Sequence, residues 1–166
     1  MSVTPASRSG SLDLVAFVMR VALAALFLST WSSNVHKSLY TTHGFQGLIR
    51  YYADAGAAPE PWKAVMRAVA AGAPVTSKVQ LVTELAFGLL LLAGVATRPV
   101  AFAAGLFLGA LWLSEVGVPH EWIWSLAFPT IVAFAVSLFS AGRVLGLDRF
   151  LLEREPLQRL PGWARG

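Results

Sequence analysis

Two charged side chains, Arg20 and Glu84, lie inside long apolar stretches of this sequence. A charge near the centre of a bilayer is costly unless it is paired or hydrated, so such a residue marks either a structural ion pair or a path for ions. Arg20 lies about eight residues from the inner end of its stretch and Glu84 about nine from the outer end of its own, which at ~1.5 Å per residue puts them within roughly 5 Å in depth. We therefore predict a buried polar pair that fixes helix register, with a proton relay or a quinone headgroup contact as alternative roles. The sequence identifies no catalytic residue.

Several titratable residues on the predicted outer side of the membrane could ligate a metal or a haem: His36, His43, Glu115, His120 and Glu121. Imidazole and carboxylate are common metal ligands, but these spacings match no ligand motif. We predict no metal site and interpret them as polar loop residues. The chain has no cysteine, which excludes disulfides, thiolate catalysis, Fe–S ligation and thioether-linked haem. Any redox chemistry would come from a cofactor that is not covalently bound, such as a quinone, or from a partner.

Tryptophans cluster near the predicted ends of the apolar stretches, at Trp31, Trp112, Trp122 and Trp124. Indole rings settle at the headgroup level of a membrane, although they can also stack on a quinone ring. The possible quinone or interface contacts are Trp31, His36, Lys37, Trp112, His120 and Trp122.

These residues are carried by apolar segments long enough to cross a bilayer. The sequence is 56% hydrophobic and 13% charged, whereas charged residues make up about a quarter of a soluble domain. We predict an all-α membrane protein with a single domain over residues 1–166: four transmembrane helices at about 12–33, 75–96, 99–116 and 122–142, a flexible segment 1–10 and an amphipathic tail 147–166. Ala22-Leu23-Ala24 could mark a signal-peptide cleavage site, but Arg20 would interrupt the signal, and we expect the first helix to stay uncleaved.

The long first loop carries its own helical pattern. Apolar residues recur at helical spacing in two groups, Phe45, Leu48, Ile49 and Tyr52, then Trp62, Val65, Met66 and Val69. Pro61 is typical of a helix start and Gly72 of a helix end. We predict two short amphipathic helices in this first extracytoplasmic loop.

The basic residues predict the orientation of the chain. Arginines flank the termini and the short connection at Arg98, whereas residues 117–121 carry none. By the positive-inside rule, both termini are expected in the cytoplasm, with the chain in the inner membrane of a bacterial cell. The net charge of +4 is explained by membrane orientation, so no nucleic-acid partner is expected.

Gly105 and Gly109 form a G-x-x-x-G motif on the third predicted span, with Ala101 one turn earlier. Small residues at this spacing let two helices approach closely. We expect close helix packing here, within the bundle, with another membrane subunit or with a second copy.

The pattern as a whole resembles a family. It comprises Arg20, residues 34–37, residues 80–84 with Gly88, Gly94 and Thr97-Arg98, then Glu121-Trp122 and residues 141–148. Over roughly residues 19 to 150 it is similar to the DoxX/DoxD-like integral membrane proteins, DoxD being the small subunit type of thiosulfate:quinone oxidoreductases. The resemblance implies a four-helix membrane subunit associated with oxidoreductases, sometimes linked to quinone. Many DoxX-like chains have Gly-x-x-Lys at the first helix exit; Asn34-Val35-His36-Lys37 stands here, and the two inserted helices fit the DoxD branch better.

No phosphate-binding loop, nucleophile elbow or zinc-protease motif occurs, so we do not expect an autonomous enzyme. We expect an accessory integral membrane subunit of an electron-transfer complex, mainly structural and anchoring. The alternatives are a quinone-reactive DoxD-like subunit of a thiosulfate:quinone oxidoreductase and a small-solute or proton transporter. The expected partners are membrane lipid and other membrane subunits or a second copy.

Overall fold

The computed structural model describes residues 5–138 and 146–148, and within them the chain forms helices and no strand. The helices are α1 (Pro5–His36), α2 (Thr42–Ala55), α3 (Glu60–Ala71), α4 (Ala73–Ala93), α5 (Thr97–Glu115) and α6 (Trp124–Leu138). The prediction of an all-α protein is therefore confirmed for this part of the chain.

Three of the helices are long and apolar enough to cross a membrane: α1 from Leu12 onward, α4 and α5. These contain 25, 21 and 19 residues, which at ~1.5 Å per residue matches a hydrocarbon core of roughly 30 Å. They coincide with the first three predicted spans. The helix at the fourth predicted span, α6, is apolar but shorter, with 15 described residues.

Several predicted boundaries differ from the structure. Helix α1 begins at Pro5, so the helix already includes residues 5–10, which we expected to be flexible. Residues 139–142 of the fourth predicted span, residues 149–166 of the predicted tail and residues 1–4 lie outside the described part of the chain.

The core lies where two helix pairs meet. α1 packs along α4, and α5 packs along α6. Three phenylalanines, Phe27, Phe87 and Phe107, join the pairs, with ring centroids 5.3 to 6.3 Å apart. Around them pack small and branched side chains, including Ala24, Leu91, Ala104, Leu108 and Val136. Ring centroids at these separations are in the favourable range for aromatic contacts.

Helices α2 and α3, residues 42–71, are called the lid. They confirm the two short helices that the loop pattern predicts. Thr41 caps α2 by accepting a hydrogen bond from the Gly44 N–H at 3.1 Å, and α3 carries Pro61 in its first turn and ends at Gly72. The Gln46 side chain of α2 donates to the Ala70 carbonyl of α3 at 3.0 Å, which ties the two lid helices together.

The lid is also fastened to the C-terminal end of α5. The Trp62 indole N–H donates to Ser114 Oγ at 2.9 Å, and the Ala57 N–H donates to the Val116 carbonyl at 2.6 Å. Tyr52 donates to Glu121 Oε1 at 2.7 Å. Contacts from α2, from the link to α3 and from α3 itself thus hold the lid against this end of the bundle.

Gly105 and Gly109 of α5, called the glycine stripe, face α6. A Cβ at Gly105 would lie 2.8 Å from Phe134 Cε1, whereas a Cβ at Gly109 would meet only Thr130 Cγ2, at 3.7 Å. Ala101, one turn earlier, is also fully buried. The sequence left open whether this stripe packs within the bundle, against another subunit or against a second copy. In the structure α6 of the same chain packs against it.

Candidate functional site

The most polar interior region surrounds Glu84 on α4, which is 2% exposed. Asn34 and Tyr40 both donate hydrogen bonds to Glu84 Oε2, Asn34 from 3.3 Å. Gln80, one turn earlier on α4, donates to Glu84 Oε1 at 2.9 Å. Each carboxyl oxygen therefore has a donor from within the chain, which offsets the cost of burying the group. Asn34, Tyr40, Gln80 and Glu84 are called the Glu84 network.

Helix periodicity places Glu84 in this position. The buried residues of α4 include Ser77, Glu84, Gly88 and Leu91, which fall on one face. Because residues four apart are neighbours on a helix surface, the Gln80 side chain reaches Glu84 directly.

Tyr40 lies in the short connection between α1 and α2 and is 5% exposed. Its carbonyl oxygen accepts a hydrogen bond from Lys78 Nζ at 2.9 Å, and Asn34 Nδ2 lies 3.3 Å from its hydroxyl. Burial, together with the hydrogen bond to Glu84, raises the pKa of the Tyr40 hydroxyl above its ordinary value. The hydroxyl therefore stays protonated and remains a donor to Glu84 at neutral pH.

Arg20 lies in a second polar region, at the end of the bundle that contains the α4–α5 turn. Its Nη1 donates to the carbonyl oxygens of Leu91 at 2.9 Å and Leu92 at 3.4 Å. These carbonyls belong to the last turn of α4, where cations are favoured by the helix dipole. The guanidinium also lies 5.3 Å from the centroid of the Phe17 ring.

Gly94 permits this approach of Arg20 to the turn. Its backbone adopts the left-handed conformation, with φ of 67°, and a Cβ at this position would collide with Arg20 Nη1. A side chain at residue 94 would therefore be strained and would displace the guanidinium.

Residues 146–148 pass beside the same turn and are called the clasp. The Ala96 and Thr97 N–H groups donate to the two carboxylate oxygens of Asp148, at 2.6 and 2.9 Å. The Asp148 N–H in turn donates to the Gly94 carbonyl at 2.9 Å. A carboxylate that accepts from the first amides of a helix acts as an N-cap, here supplied from a distant part of the sequence. Asp148 also attracts Arg20 electrostatically.

The structure corrects the predicted ion pair between Arg20 and Glu84. Both are buried, but they lie in separate networks: Glu84 is bonded to Tyr40, Asn34 and Gln80, and the Arg20 bonds described above go to the end of α4. Leu91 follows Glu84 by seven residues, which corresponds to roughly 10 Å along the helix axis. The depth estimate failed because it did not know the register of the two helices: Gly88 of α4 lies against Leu28 of α1, so Arg20 and Glu84 lie on opposite sides of this contact, toward different ends of the bundle.

The residues predicted as possible quinone contacts do not converge on one site. Lys37, His120 and Trp122 are exposed, Trp122 by 65%. The Trp112 indole donates to the Ile123 carbonyl at 2.9 Å, and the His36 ring lies 2.7 Å from the Ser32 carbonyl oxygen.

The remaining aromatic and titratable candidates are equally dispersed. Trp31 is partly buried in α1, and Trp124 stacks on Phe128. Glu121 accepts from Tyr52, and Glu115 accepts from Ser125 at 3.4 Å. Within residues 5–138 and 146–148, no group of three His, Asp or Glu side chains could hold a metal ion.

Sequence reasoning missed the role of Tyr40 and assigned none to Asp148. Tyr40 belongs to a short connection with no periodicity, and nothing in its neighbourhood marks it as a partner of Glu84. Asp148 and Asn34 do fall in the segments on which the family resemblance rests, and that resemblance is the feature of the sequence that could have marked them as site residues. In comparisons with protein-family models, with curated proteins and with solved structures, nothing matches this chain.

Proposed function

We propose that this chain is an accessory membrane subunit that anchors an electron-transfer assembly and has a mainly structural role. The observation that supports the proposal is the use made of its interior polar groups. Glu84 binds the α1–α2 connection to α4, and Asp148 binds the clasp to α5. Polar groups engaged in this way fasten helices to each other, which is what a subunit that presents a fixed surface to a partner requires.

The association with electron transfer rests on the resemblance to the DoxX/DoxD-like proteins. The lid inserted after the first span is in keeping with the DoxD branch. Arg20, Gly94 and Asp148, which belong to the pattern of the wider family, lie together at one end of the bundle. The partner would be a membrane oxidoreductase subunit that carries the redox cofactor.

We further propose that α6 is the fourth span, with both termini in the cytoplasm of a bacterial cell and the lid on the outer surface. The excess of arginine near the α4–α5 turn and the termini supports this orientation. Because the chain has no cysteine, single cysteines at Arg98 and at His43 can be labelled without background. An impermeant maleimide added from outside should label H43C and not R98C, and the opposite pattern would reverse the proposed topology.

The accessory role is tested by purifying the tagged full chain gently from its native membrane and identifying stoichiometric companions. Recovery of the chain without any redox-active companion would contradict the proposal. Once a companion is identified, assembly and turnover of the complex are compared for three variants: Glu84→Gln, Glu84→Leu and, as a control at an exposed position of the lid, Glu60→Gln.

For a structural role, Glu84→Leu should lower the amount of assembled complex because it leaves three donors without their acceptor. Turnover per assembled complex should be unchanged in all three variants. Normal assembly of Glu84→Gln combined with loss of turnover would show that Glu84 takes part in catalysis.

A further inference from the structure

A cavity of about 190 Å³ lies beneath the lid, between α3 above and α4 and α5 below. Trp62 and Val69 of α3 line one side, Phe107, Ala110 and Ser114 of α5 line the other, and Gln80 of α4 lies at its edge. None of the residues predicted as quinone contacts is among its lining residues.

A hydrogen bond joins the two walls of this cavity. Trp62, on the lid side, donates to Ser114 on α5 at 2.9 Å, and Ser114 in turn donates to the Ala110 carbonyl at 2.9 Å. The amide nitrogen of Gln80 is engaged with Glu84. The Trp62 N–H, the Ser114 hydroxyl and the Gln80 amide nitrogen thus have partners within the chain, and the other lining side chains are apolar.

The size and the lining together select a class of ligand. An enclosed apolar cavity of about 150 Å³ engineered into another protein binds benzene, and the half-open cavity beneath the lid, with about 190 Å³, has room for one ring with small substituents. We propose that the cavity beneath the lid is a binding site for a compact, single-ring apolar molecule or for the ring end of an amphiphile. This inference is independent of the proposed function, because it uses only the cavity and its walls.

The experiment uses the full chain in detergent with ¹⁵N-labelled tryptophan indoles and 4-fluorotoluene as the probe. The Trp62 indole resonance, assigned with Trp62→Phe, should shift saturably as the probe is added. The exposed Trp122 should show only the linear shift expected from probe dissolved in the micelle.

Ala110→Leu, which fills the cavity from α5, should abolish the saturable shift of Trp62. The matched control Ala103→Leu adds the same side chain at an exposed position of the same helix and should retain it. If Ala110→Leu fails to fold, Val69→Phe fills the cavity from the lid and should give the same loss.

Three results would overturn the proposal. These are the absence of a saturable Trp62 shift in the unmodified chain, a saturable shift that survives cavity filling, and competition by dodecane at equal concentration. The last would identify the cavity as a seat for an acyl chain of lipid or detergent.

Discussion

The Glu84 network predicts a specific penalty for removing one hydroxyl group. Tyr40→Phe keeps the ring in place and deletes only the donor to Glu84 Oε2, leaving Asn34 and Gln80 as the remaining donors. Leaving a buried hydrogen-bond acceptor without one of its donors costs about 1–3 kcal/mol, so we expect Tyr40→Phe to lower the free energy of unfolding by about 2 kcal/mol. The hydroxyl is buried, so water cannot replace it.

Tyr52→Phe is the matched control, since Tyr52 lies in the lid and also donates to a glutamate. Its acceptor, Glu121, is exposed and can be solvated when the hydroxyl is lost. We therefore expect a cost of about 0.5 kcal/mol, as for a typical surface change.

Both free energies can be measured by reversible unfolding in mixed micelles. A double-mutant cycle with Glu84→Leu, which removes the acceptor, then isolates the contact: Tyr40→Phe should show a coupling of about 1–2 kcal/mol, and Tyr52→Phe a coupling near zero. Equal costs for the two tyrosine variants, or no coupling between Tyr40 and Glu84, would refute the assignment of Tyr40 as the donor that holds the lid connection to α4.

Three further predictions follow from the same contacts. Folding raises the pKa of the Tyr40 hydroxyl, so the stabilisation that this hydroxyl contributes is complete below about pH 10 and declines at higher pH. In an alkaline titration, the free energy of unfolding should therefore fall less for Tyr40→Phe than for the unmodified chain. Asp148→Ala removes the cap from two α5 amides and should cost about 2 kcal/mol, with Asp148→Asn costing less in the same unfolding assay. Gly105→Ala should lower the melting temperature because its Cβ meets the Phe134 ring, whereas Gly109→Ala, with ordinary contacts, should not; equal shifts would contradict the packing of α5 on α6.

The lid shows what periodicity alone can establish. Its two helices, the proline in the first turn of α3 and the glycine that ends it were all predicted from local sequence. Each of these features depends on residues within one or two turns of each other, so a local pattern contains the information that specifies them.

The polar interior required information that a local pattern does not contain. The apolar stretches correctly indicated that Arg20 and Glu84 are buried, because a charge inside a span must face the protein. They could not indicate the partners, since a depth estimate locates Cα atoms to within a turn or two, while an arginine side chain can reach across a comparable distance. Two opposite charges at similar estimated depth are therefore weak evidence for a pair.

Two of the contacts in the polar interior come from irregular segments, and this has a physical reason. Tyr40 lies in the α1–α2 connection and Asp148 follows α6, so both are outside the six helices, where the backbone can bring a side chain to a helix face or a helix end from any direction. A buried carboxyl group needs donors, and helix amides at a first turn need an acceptor, but neither need specifies which segment supplies it. In this chain the α1–α2 connection supplies one of the three donors to Glu84, and the clasp supplies the acceptor for the first amides of α5. The sequence therefore shows which polar groups must be satisfied, and the fold determines which connection satisfies them.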